Sequence, residues 1–532
     1  MAQTANRHLF QGLTVLACVV VIAVLGLRIH QATGGSFFFT LDDPYIHLSL
    51  AENLAHGHFG INAGETASPS SSILYPALVA LTLLLGMGEM GPLLLNLIGA
   101  CGVAWLLGGL VFDGLAGPEK RLNPVMVLVP VPLLAAVNGY ALAWTGMEHT
   151  LHAFASLGIL RGVIRTHAYQ KPDIWTIIAL LAAPLLRFEG LALTGAALLV
   201  IALRGQWRPA VALFATLIAA LAGYVATMIA LGLPPLPSSV LVKSSVTAAA
   251  VDRSMSGAVL DQIQSIGEAL DRPAARWVLG GILALALSLF QGADRQRLAV
   301  VSAVGLAGFA HLALGQWGWY GRYEVYIVAT LWAANLWAWA PSFSDPPARA
   351  FKALVVMVIA IAGARTYLAP LLTTPQAAAN VAHQQYQMHR FATEFFPETV
   401  AVNDLGWVSY RNDAYVLDLW GLGSEKTRLA RAKFGLDANW IGAMTDEANA
   451  VYAMVYPGLF KDSLPSDWCL MGVIRSDRVM SAFEHVGFYL IDSTREADMR
   501  AALVAYSATL PEGTTFTSTE CATAYDWQDW SD

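Results

Sequence analysis

The feature that most constrains this chain is a series of apolar windows, each about 18 residues or longer, with few or no charged side chains. Windows of this kind are typical of helices that cross the hydrocarbon core of a membrane. The first lies between about Leu9 and Ile29, and no small-residue cleavage site follows it. We therefore interpret it as an uncleaved anchor rather than a secretory signal.

About 11 membrane spans are predicted from these windows. They lie near residues 9–29, 91–111, 124–144, 148–165, 174–187, 189–204, 209–232, 275–291, 298–315, 322–341 and 351–370. The expected fold is an all-α polytopic membrane bundle, followed by a C-terminal α/β domain outside the membrane.

Charge divides the chain into two parts. Only 13% of the 532 residues are charged, against about 25% in a typical soluble protein. From Thr373 to Asp532 there are 11 Lys or Arg and 21 Asp or Glu, a net charge of −10, so residues 1–372 carry +3 of the total −7. We predict a transmembrane domain over 1–372 and an acidic soluble domain over 373–532. The acidic domain argues against nucleic acid as a partner.

Basic loops set the expected orientation, because positively charged loops stay in the cytoplasm. They contain Arg7, Lys120 and Arg121, Arg161, Arg165 and Lys171, Arg204 and Arg208, Arg295 and Arg297, and Arg349 and Lys352. These loops occur at alternate turns, so the N-terminus is predicted to be cytoplasmic and the C-terminal domain extracytoplasmic. This scheme requires the apolar segment 73–87, which is short for a span, to lie at the outer interface without crossing.

The first outside loop, residues 30–72, contains no Lys or Arg but carries the acidic pair Asp42-Asp43. Pro44 after the pair suits the first turn of a helix, and Gly57 is a natural helix stop. Apolar side chains recur every four residues between them, at Ile46, Leu50 and Leu54. The pattern predicts a short amphipathic helix that lies flat on the membrane, with the acidic pair at its start.

Two interpretations of the acidic pair stay open. In one, Asp43 caps the helix and Asp42 is solvated. In the other, which we favour because no basic residue shares the loop, the carboxylates act as a general base or bind a cation. The histidines of the loop match no tight metal-ligand spacing, so no metal site or cofactor is predicted, and a divalent cation stays open.

Motifs along residues 38–425 resemble the GT-C superfamily of membrane glycosyltransferases. Within it they are most similar to the bacterial branch of terminal arabinofuranosyltransferases and protein-mannosyltransferase-like enzymes. The motifs are Asp42 to His47, Ala51 to Gly57, Asn62 to Glu65, Ser68-Pro69, Thr145 to Thr150, Leu186 to Gly190, Pro235 to Lys243, Gly321 to Tyr323, Asn403 to Gly406 and Val416 to Leu422. One departure is Phe188, which stands where the family's Arg-Pro-Glu-Gly turn has proline.

The resemblance implies a helical bundle in a bacterial inner membrane, with an outer soluble domain. It also implies transfer of a sugar from a polyprenyl-phosphate donor to an envelope glycan, lipid or protein acceptor outside the membrane. The acid of the first loop serves as the base in this family, a role that falls here on Asp42 or Asp43. We prefer Asp42, because Asp43 is better placed to cap the helix.

The donor phosphate would need cationic partners at the outer face, and the family motifs point to Arg187, Lys243 and Arg322. Each has a structural alternative: a pair with Glu189 for Arg187, an interfacial anchor for Arg322 and a solvated position for Lys243. Further substrate-binding residues are predicted at His47, Glu52, Glu148, Glu189 and Tyr323. The loop 244–271 is a candidate lid.

In the C-terminal domain a helix is predicted over 376–396. Strands are predicted at 400–402, 414–419, 451–456, 468–474 and 486–491. Asn403-Asp404, at the end of a strand, is interpreted as a turn in preference to an acceptor contact. Cys469 and Cys521 would pair if the domain faces an oxidising compartment.

Two other functional classes compete with the enzyme. A lipid-linked glycan transporter or flippase would share the spans and buried charges, but it would need neither the acidic pair nor a large outer domain. No internal repeat supports a transporter built from duplicated halves. A non-catalytic envelope-assembly protein is the second alternative, and it would tolerate substitution of both aspartates.

Overall fold

The structure is a computed structural model that describes residues 2–116, 124–166, 171–243, 264–340, 346–460 and 462–522. Six helices in these ranges are long and apolar enough to cross a membrane. Large apolar side chains on them face outward, for example Leu27 with 64% exposure and Phe309 with 59%. Such exposed apolar surface requires lipid around it. The chain is therefore a multi-pass membrane protein.

Helices of the membrane part follow the predicted spans in sequence. In chain order they are α1 (Ala2–Ala32), α2 (Asp43–Ala55), α3 (Tyr75–Leu84), α4 (Met90–Leu115), α5 (Pro124–Leu128), α6 (Pro130–Ala136), α7 (His149–Arg165), α8 (Ile174–Leu186), α9 (Gly190–Ile201), α10 (Trp207–Ala230), α11 (Ser238–Lys243), α12 (Pro273–Leu287), α13 (Arg295–Leu314), α14 (Val325–Ala338) and α15 (Pro346–Ala364). Several of these are shorter than a full span, so the count of about 11 stays a prediction.

Segment 73–87 contains α3, a helix of ten residues. Its length is about 15 Å, roughly half the thickness of a bilayer core. The backbone N–H groups of Ile73 and Leu74 both donate to Leu185 O at the end of α8. In this structure α3 is thus too short to cross by itself, as expected, and its interfacial position stays a prediction.

The C-terminal part begins with α16 (Leu368–His383) and α17 (Gln385–Arg390), within the region predicted as helix. It continues through β1 (Val400–Val402), α18 (Gly406–Ser409), β2 (Val416–Asp418), α19 (Glu425–Phe434), α20 (Ala438–Ala448), β3 (Tyr452–Val455), α21 (Pro457–Phe460), β4 (Cys469–Arg475), β5 (His485–Leu490), α22 (Glu496–Ser507) and β6 (Thr515–Ala522). The strands form one sheet in the order β2-β1-β3-β5-β4-β6. Strand β1 is parallel to β2 and β3, and the other pairs are antiparallel.

Five of the strands lie where the apolar runs predicted them, because β1, β2, β3 and β5 are buried throughout and β4 is buried except at Arg475. Strand β6 was not predicted, since its sequence TFTSTECA is mostly polar and it forms an edge of the sheet. A disulfide between Cys469 and Cys521 joins β4 to β6. The pairing that the sequence left open is therefore present in the structure.

Helix α2 differs from its prediction in one respect. Residues 44–51 are all buried, whereas an amphipathic helix lying on a membrane would leave one face in water. The cause is that α2 packs against α3 and also against α18 of the C-terminal part. The first outside loop is therefore an internal element, and the acidic pair at its start lies between the two parts of the chain.

Candidate active site

Three distant segments meet around a cavity of about 740 Å³. They are the acidic pair at the start of α2, the segment 316–323 between α13 and α14, and the turn 403–405 after β1. Aromatic residues form part of the wall, among them Trp317, Trp319, Tyr323, Trp420 and Phe483. A cavity with aromatic walls and a few converging charged groups is typical of a ligand site.

Asp43 pairs with Arg322 across this cavity, with 2.6 Å between Oδ2 and Nη2. The Arg322 side chain is only 2% exposed, and the same Nη2 donates to the hydroxyl of Tyr323 at 3.2 Å. The guanidinium also lies over the Tyr323 ring, 5.1 Å from its centre. Its Nε and Nη1 groups are buried and have no hydrogen-bond partner among the described residues. Arg322 thus has donors left for an anionic ligand.

The turn before Arg322 explains its position. Residues 318–321 all have positive φ, including the non-glycine residues Trp319 at 46° and Tyr320 at 69°. Asn138 Nδ2 donates to Tyr320 O at 2.9 Å, and the Tyr320 hydroxyl meets Thr374 Oγ1 at 2.6 Å. Backbone in this region is costly for residues with a side chain and persists where surrounding contacts enforce it. Helices around the turn therefore fix Arg322 against the cavity.

Asp42 has different partners from its neighbour. Its Oδ2 accepts the backbone N–H of Gly406 at 2.7 Å and its Oδ1 accepts that of Trp407 at 2.8 Å. It occupies the N-cap position of α2 but makes no side-chain cap. The expectation that Asp43 caps α2 was therefore wrong, since Asp43 lies inside the helix start and pairs with Arg322. Burial, followed by the nearby carboxyl of Asp404, raises the pKa of Asp42 well above its ordinary value.

Asp404 is a third carboxyl group on the cavity wall. Its Oδ2 accepts from Gln385 Nε2 at 3.0 Å and from the Tyr456 hydroxyl at 2.5 Å. Asp404 follows β1 in a turn, as predicted, but the preference for a turn alone missed its place in the cavity. The available signal was the family motif Asn403 to Gly406. Burial is also the main cause that raises the pKa of Asp404.

Arg187 lies in a buried ion cluster beside the cavity. It contacts Glu148 and Glu189, each at 2.7 Å, and its side chain is 7% exposed. Its guanidinium lies 5.4 Å from the centre of the Tyr323 ring. The structural pair with Glu189 that the sequence left open is present, and Glu148 is a second partner. Two carboxylates thus already neutralise Arg187, in contrast to Arg322.

His47 joins this cluster, with 3.9 Å between its Nε2 and Glu148 Oε2. The His47 side chain is buried on α2. A narrow cavity of about 20 Å³ lies between the Arg187 cluster and the Asp43–Arg322 pair, and Tyr323 lines it. The structure therefore brings most of the predicted substrate-binding residues into one connected region.

Other predicted residues lie elsewhere. Glu52 pairs with Arg411 at 3.4 Å and lines neither cavity. Lys243 ends α11, and its side chain lies outside the described part of the structure, as do residues 244–263 of the candidate lid. Among the described residues, no group of three or more His, Cys, Asp or Glu is arranged to hold a metal ion.

A family model described as a domain of unknown function, DUF8728, matches residues 379–491, about a fifth of the chain. No curated protein matches the sequence. Among solved structures, ArnT from Cupriavidus metallidurans bound to undecaprenyl phosphate is similar, with 14% identity, a TM-score of 0.49 and coverage of 89% of this chain and 98% of that one.

An oligosaccharyltransferase from Archaeoglobus fulgidus in the apo form is also similar, with 12% identity, a TM-score of 0.44 and coverage of 90% of this chain and 74% of that one. The same enzyme in complex with zinc and sulfate gives 12% identity and a TM-score of 0.42, over 86% and 72% of the two chains. Because their TM-scores lie below 0.5, the chemistry of this chain has to be inferred from its own residues.

Proposed function

We propose that this protein is a membrane glycosyltransferase that moves a sugar from a polyprenyl-phosphate donor to an extracytoplasmic hydroxyl acceptor. The observation that carries the proposal is the state of Arg322. Its buried guanidinium has two nitrogens without a partner among the described residues, and it lines the same cavity as the carboxyls of Asp42, Asp43 and Asp404. A buried cation with free donors favours binding of a phosphate, because charge-assisted hydrogen bonds are strong in a site that excludes water.

Asp42 is the base in this proposal, for a reason different from helix capping. Asp42 lines the cavity, and its two oxygens accept from neutral backbone N–H groups, which orient the carboxylate towards an acceptor hydroxyl without pairing it with a cation. Asp43 is held by Arg322, so its part is to keep the phosphate-binding guanidinium in place. Asp42 takes the proton of the acceptor hydroxyl while that oxygen forms a bond to the anomeric carbon. The bond from that carbon to the phosphate oxygen breaks, and polyprenyl phosphate leaves beside Arg322.

Arg187, Glu148 and Glu189 support the site in this scheme without binding the phosphate directly, because two carboxylates already pair with Arg187. The acceptor side of the reaction faces the C-terminal domain, which we propose lies outside the membrane over residues 373–532. The disulfide between Cys469 and Cys521 supports this placement, since disulfides persist in oxidising compartments.

Binding of the donor phosphate is tested with undecaprenyl phosphate as the probe and the purified full chain in nanodiscs. Arg322→Ala should weaken binding at least about tenfold, because a charged hydrogen bond contributes roughly 1.5–3 kcal/mol. Arg322→Lys should recover part of the affinity. Arg276→Ala is the matched control, since Arg276 lies on α12, contacts only the backbone of Asp271 in the described structure and lines neither cavity.

Transfer is tested by mass spectrometry of envelope glycans in a strain that lacks the gene and carries wild type or a variant at equal protein level. Asp42→Asn should abolish the product while leaving binding of undecaprenyl phosphate within a few-fold of wild type. Full transfer by Asp42→Asn would remove the base assignment and favour a flippase or an assembly protein. Unchanged binding by Arg322→Ala would remove the phosphate assignment.

A further inference from the structure

The C-terminal part of the chain contributes one wall of the large cavity, the C-terminal wall, made of the lining residues between positions 381 and 483. Both cations that line the cavity, Arg272 and Arg322, belong to the membrane part instead. Among the described residues, the C-terminal wall carries no Lys or Arg and a single acid, Asp404. An anionic group therefore finds its cationic partners on the membrane side, and the C-terminal wall suits a neutral ligand.

Gln385, at the start of α17, carries an unpartnered acceptor on this wall. Its side chain is 4% exposed, and Oε1 is buried without a hydrogen-bond partner among the described residues. The Nε2 group of the same amide donates to Gln384 Oε1 at 3.2 Å and to Asp404 Oδ2 at 3.0 Å. Because an acceptor buried without a donor is unfavourable, this position favours a ligand that donates to it.

The orientation of the Gln385 amide follows from its neighbours. Gln384 Nε2 donates to two backbone carbonyls, Phe483 O at 2.9 Å and Glu484 O at 3.2 Å. These contacts require the amino group of Gln384 on that side, so its Oε1 is directed at Gln385. Exchange of the nitrogen and oxygen of Gln385 would then place two acceptors against each other. The atom of Gln385 that lacks a partner is thus the oxygen.

Ser481 is a second polar residue of the C-terminal wall with an unpartnered atom. It is 8% exposed, and its buried Oγ has no hydrogen-bond partner among the described residues. Asn380 on α16 fixes its segment, because Asn380 Oδ1 accepts the backbone N–H groups of Val479, Met480 and Ser481 at 3.2, 2.8 and 2.9 Å. The Ser481 hydroxyl is therefore held at the cavity, where it can donate to a ligand or accept from it.

Aromatic side chains flank these two polar groups, since Trp420, Tyr456 and Phe483 line the same wall. The backbone at Trp420 is fixed by Asp418, whose carboxyl group accepts the N–H groups of Trp420 at 2.8 Å and Gly423 at 2.7 Å. Binding sites commonly combine aromatic walls with a small number of precisely placed polar groups. The rings suit the C–H faces of a sugar, and the neutral polar atoms suit its hydroxyls.

We infer that Gln385 and Ser481 form the acceptor subsite, and that the acceptor is a neutral carbohydrate. A carbohydrate carries several hydroxyls, so one can react at Asp42 while others hydrogen-bond with Gln385 Oε1 and Ser481 Oγ. A phosphorylated lipid would meet no cation among the described residues of this wall. The inference rests on the proposed glycosyl transfer and names the substrate class of that reaction.

The substrate class is tested with the envelope of a strain that lacks the gene. The envelope is separated into neutral polysaccharide, acidic polysaccharide, lipid and protein fractions. Each fraction is incubated with the wild-type chain in nanodiscs and with the polyprenyl-linked donors extracted from the same strain. The transferred sugar should appear in the neutral polysaccharide fraction. Its appearance in one of the other three fractions instead would overturn the assignment of a neutral carbohydrate.

The two residues are tested by direct binding to the purified full chain, with the neutral polysaccharide fraction as the probe and no donor present. Gln385→Ala and Ser481→Ala should each raise the half-saturating concentration about two- to tenfold, because each removes one neutral hydrogen bond to the carbohydrate. Binding of undecaprenyl phosphate should stay within about twofold of wild type. Equal polysaccharide affinity in wild type and both variants would overturn the subsite.

Ser507→Ala is the matched control, since Ser507 ends α22, donates to Val504 O at 3.0 Å and lines neither cavity. It should leave polysaccharide binding unchanged. Ser481→Ala removes a hydroxyl without a protein partner among the described residues, so it should not lower the unfolding temperature of the unliganded chain. A lower unfolding temperature together with unchanged polysaccharide affinity would show that Ser481 has a structural role and would contradict the inference.

The results distinguish this subsite from the proposed function. If the polysaccharide binds to wild type and less well to both variants, but no sugar is transferred, the subsite stands and glycosyl transfer fails. If sugar is transferred to the polysaccharide while both variants bind it as wild type does, the proposed function stands and the subsite is wrong.

Discussion

At the scale of single residues, two adjacent aspartates have different surroundings. The carboxylate of Asp42 is held by backbone N–H groups of Gly406 and Trp407, and that of Asp43 by the guanidinium of Arg322. Although the two residues are adjacent, the carboxylate of Asp42 is therefore bound by neutral donors and that of Asp43 by a cation. The two substitutions Asp42→Asn and Asp43→Asn are expected to act on different steps, proton transfer and phosphate binding.

Gly406 is the residue whose size most directly limits this arrangement. A Cβ atom added there would lie 2.3 Å from both the backbone oxygen and Oδ2 of Asp42. Gly406→Ala should therefore push Asp42 away and destabilise the protein by about 1–3 kcal/mol, with loss of transfer. Thermal unfolding in detergent measures the first effect and glycan analysis the second.

The matched control is Gly280→Ala on α12, where an added Cβ meets no atom within 4 Å. It should leave transfer unchanged and should not lower the unfolding temperature, because alanine has the higher helix propensity. Equal unfolding temperature and activity for Gly406→Ala and wild type would contradict the close contact between Asp42 and α18.

At the scale of elements, α2 connects the two parts of the chain. Tyr45 and Leu48 belong to the apolar core of the membrane bundle, while Ile46 and Leu50 belong to the core under the sheet. A helix that serves two cores is buried on all sides, which explains why its amphipathic pattern did not place it on a membrane surface. It also keeps the acidic pair aligned with Arg322 on one side and Asp404 on the other.

Leu50 tests this connection, since its side chain is fully buried. Leu50→Ala should cost about 2–5 kcal/mol of unfolding free energy and should lower transfer more than binding of undecaprenyl phosphate. The control is Leu84→Ala on α3, where the leucine is 70% exposed and truncation should have little effect. An equally small effect of both substitutions on stability would show that α2 does not connect the cores.

At the scale of the whole molecule, the orientation in the membrane decides whether the cavity can receive an extracytoplasmic acceptor. A single cysteine at Ser493, before α22, should react with a membrane-impermeant maleimide on intact cells. One at Arg165, at the end of α7, should react only after permeabilisation. The native Cys18 and Cys101 are replaced by serine, while Cys469 and Cys521 stay joined. Labelling of the Arg165→Cys protein on intact cells would contradict the proposed topology and indicate the opposite orientation.

Much of the architecture was predictable because local patterns encode it. Long uncharged windows indicated membrane helices, and short apolar runs bounded by turns located five of the six strands. Pro44 and Gly57 bracketed α2 closely. Strand β6 was not predicted, because an edge strand with a polar sequence has no burial pattern of its own. Its position depends on pairing with β4 and on the disulfide.

By itself, the sequence determined the membrane class, the division into an apolar bundle and an acidic C-terminal part, and a loop whose carboxylates lack basic neighbours. Only the tertiary structure decided what those carboxylates contact. Asp42 accepts from backbone N–H groups 364 and 365 positions away, and Asp43 pairs with Arg322. Asp404 accepts from Gln385 on α17 and from Tyr456 at the end of β3. Local propensities extend over a few residues, whereas the charge state of a buried carboxyl depends on every group within a few ångströms, wherever it lies along the chain.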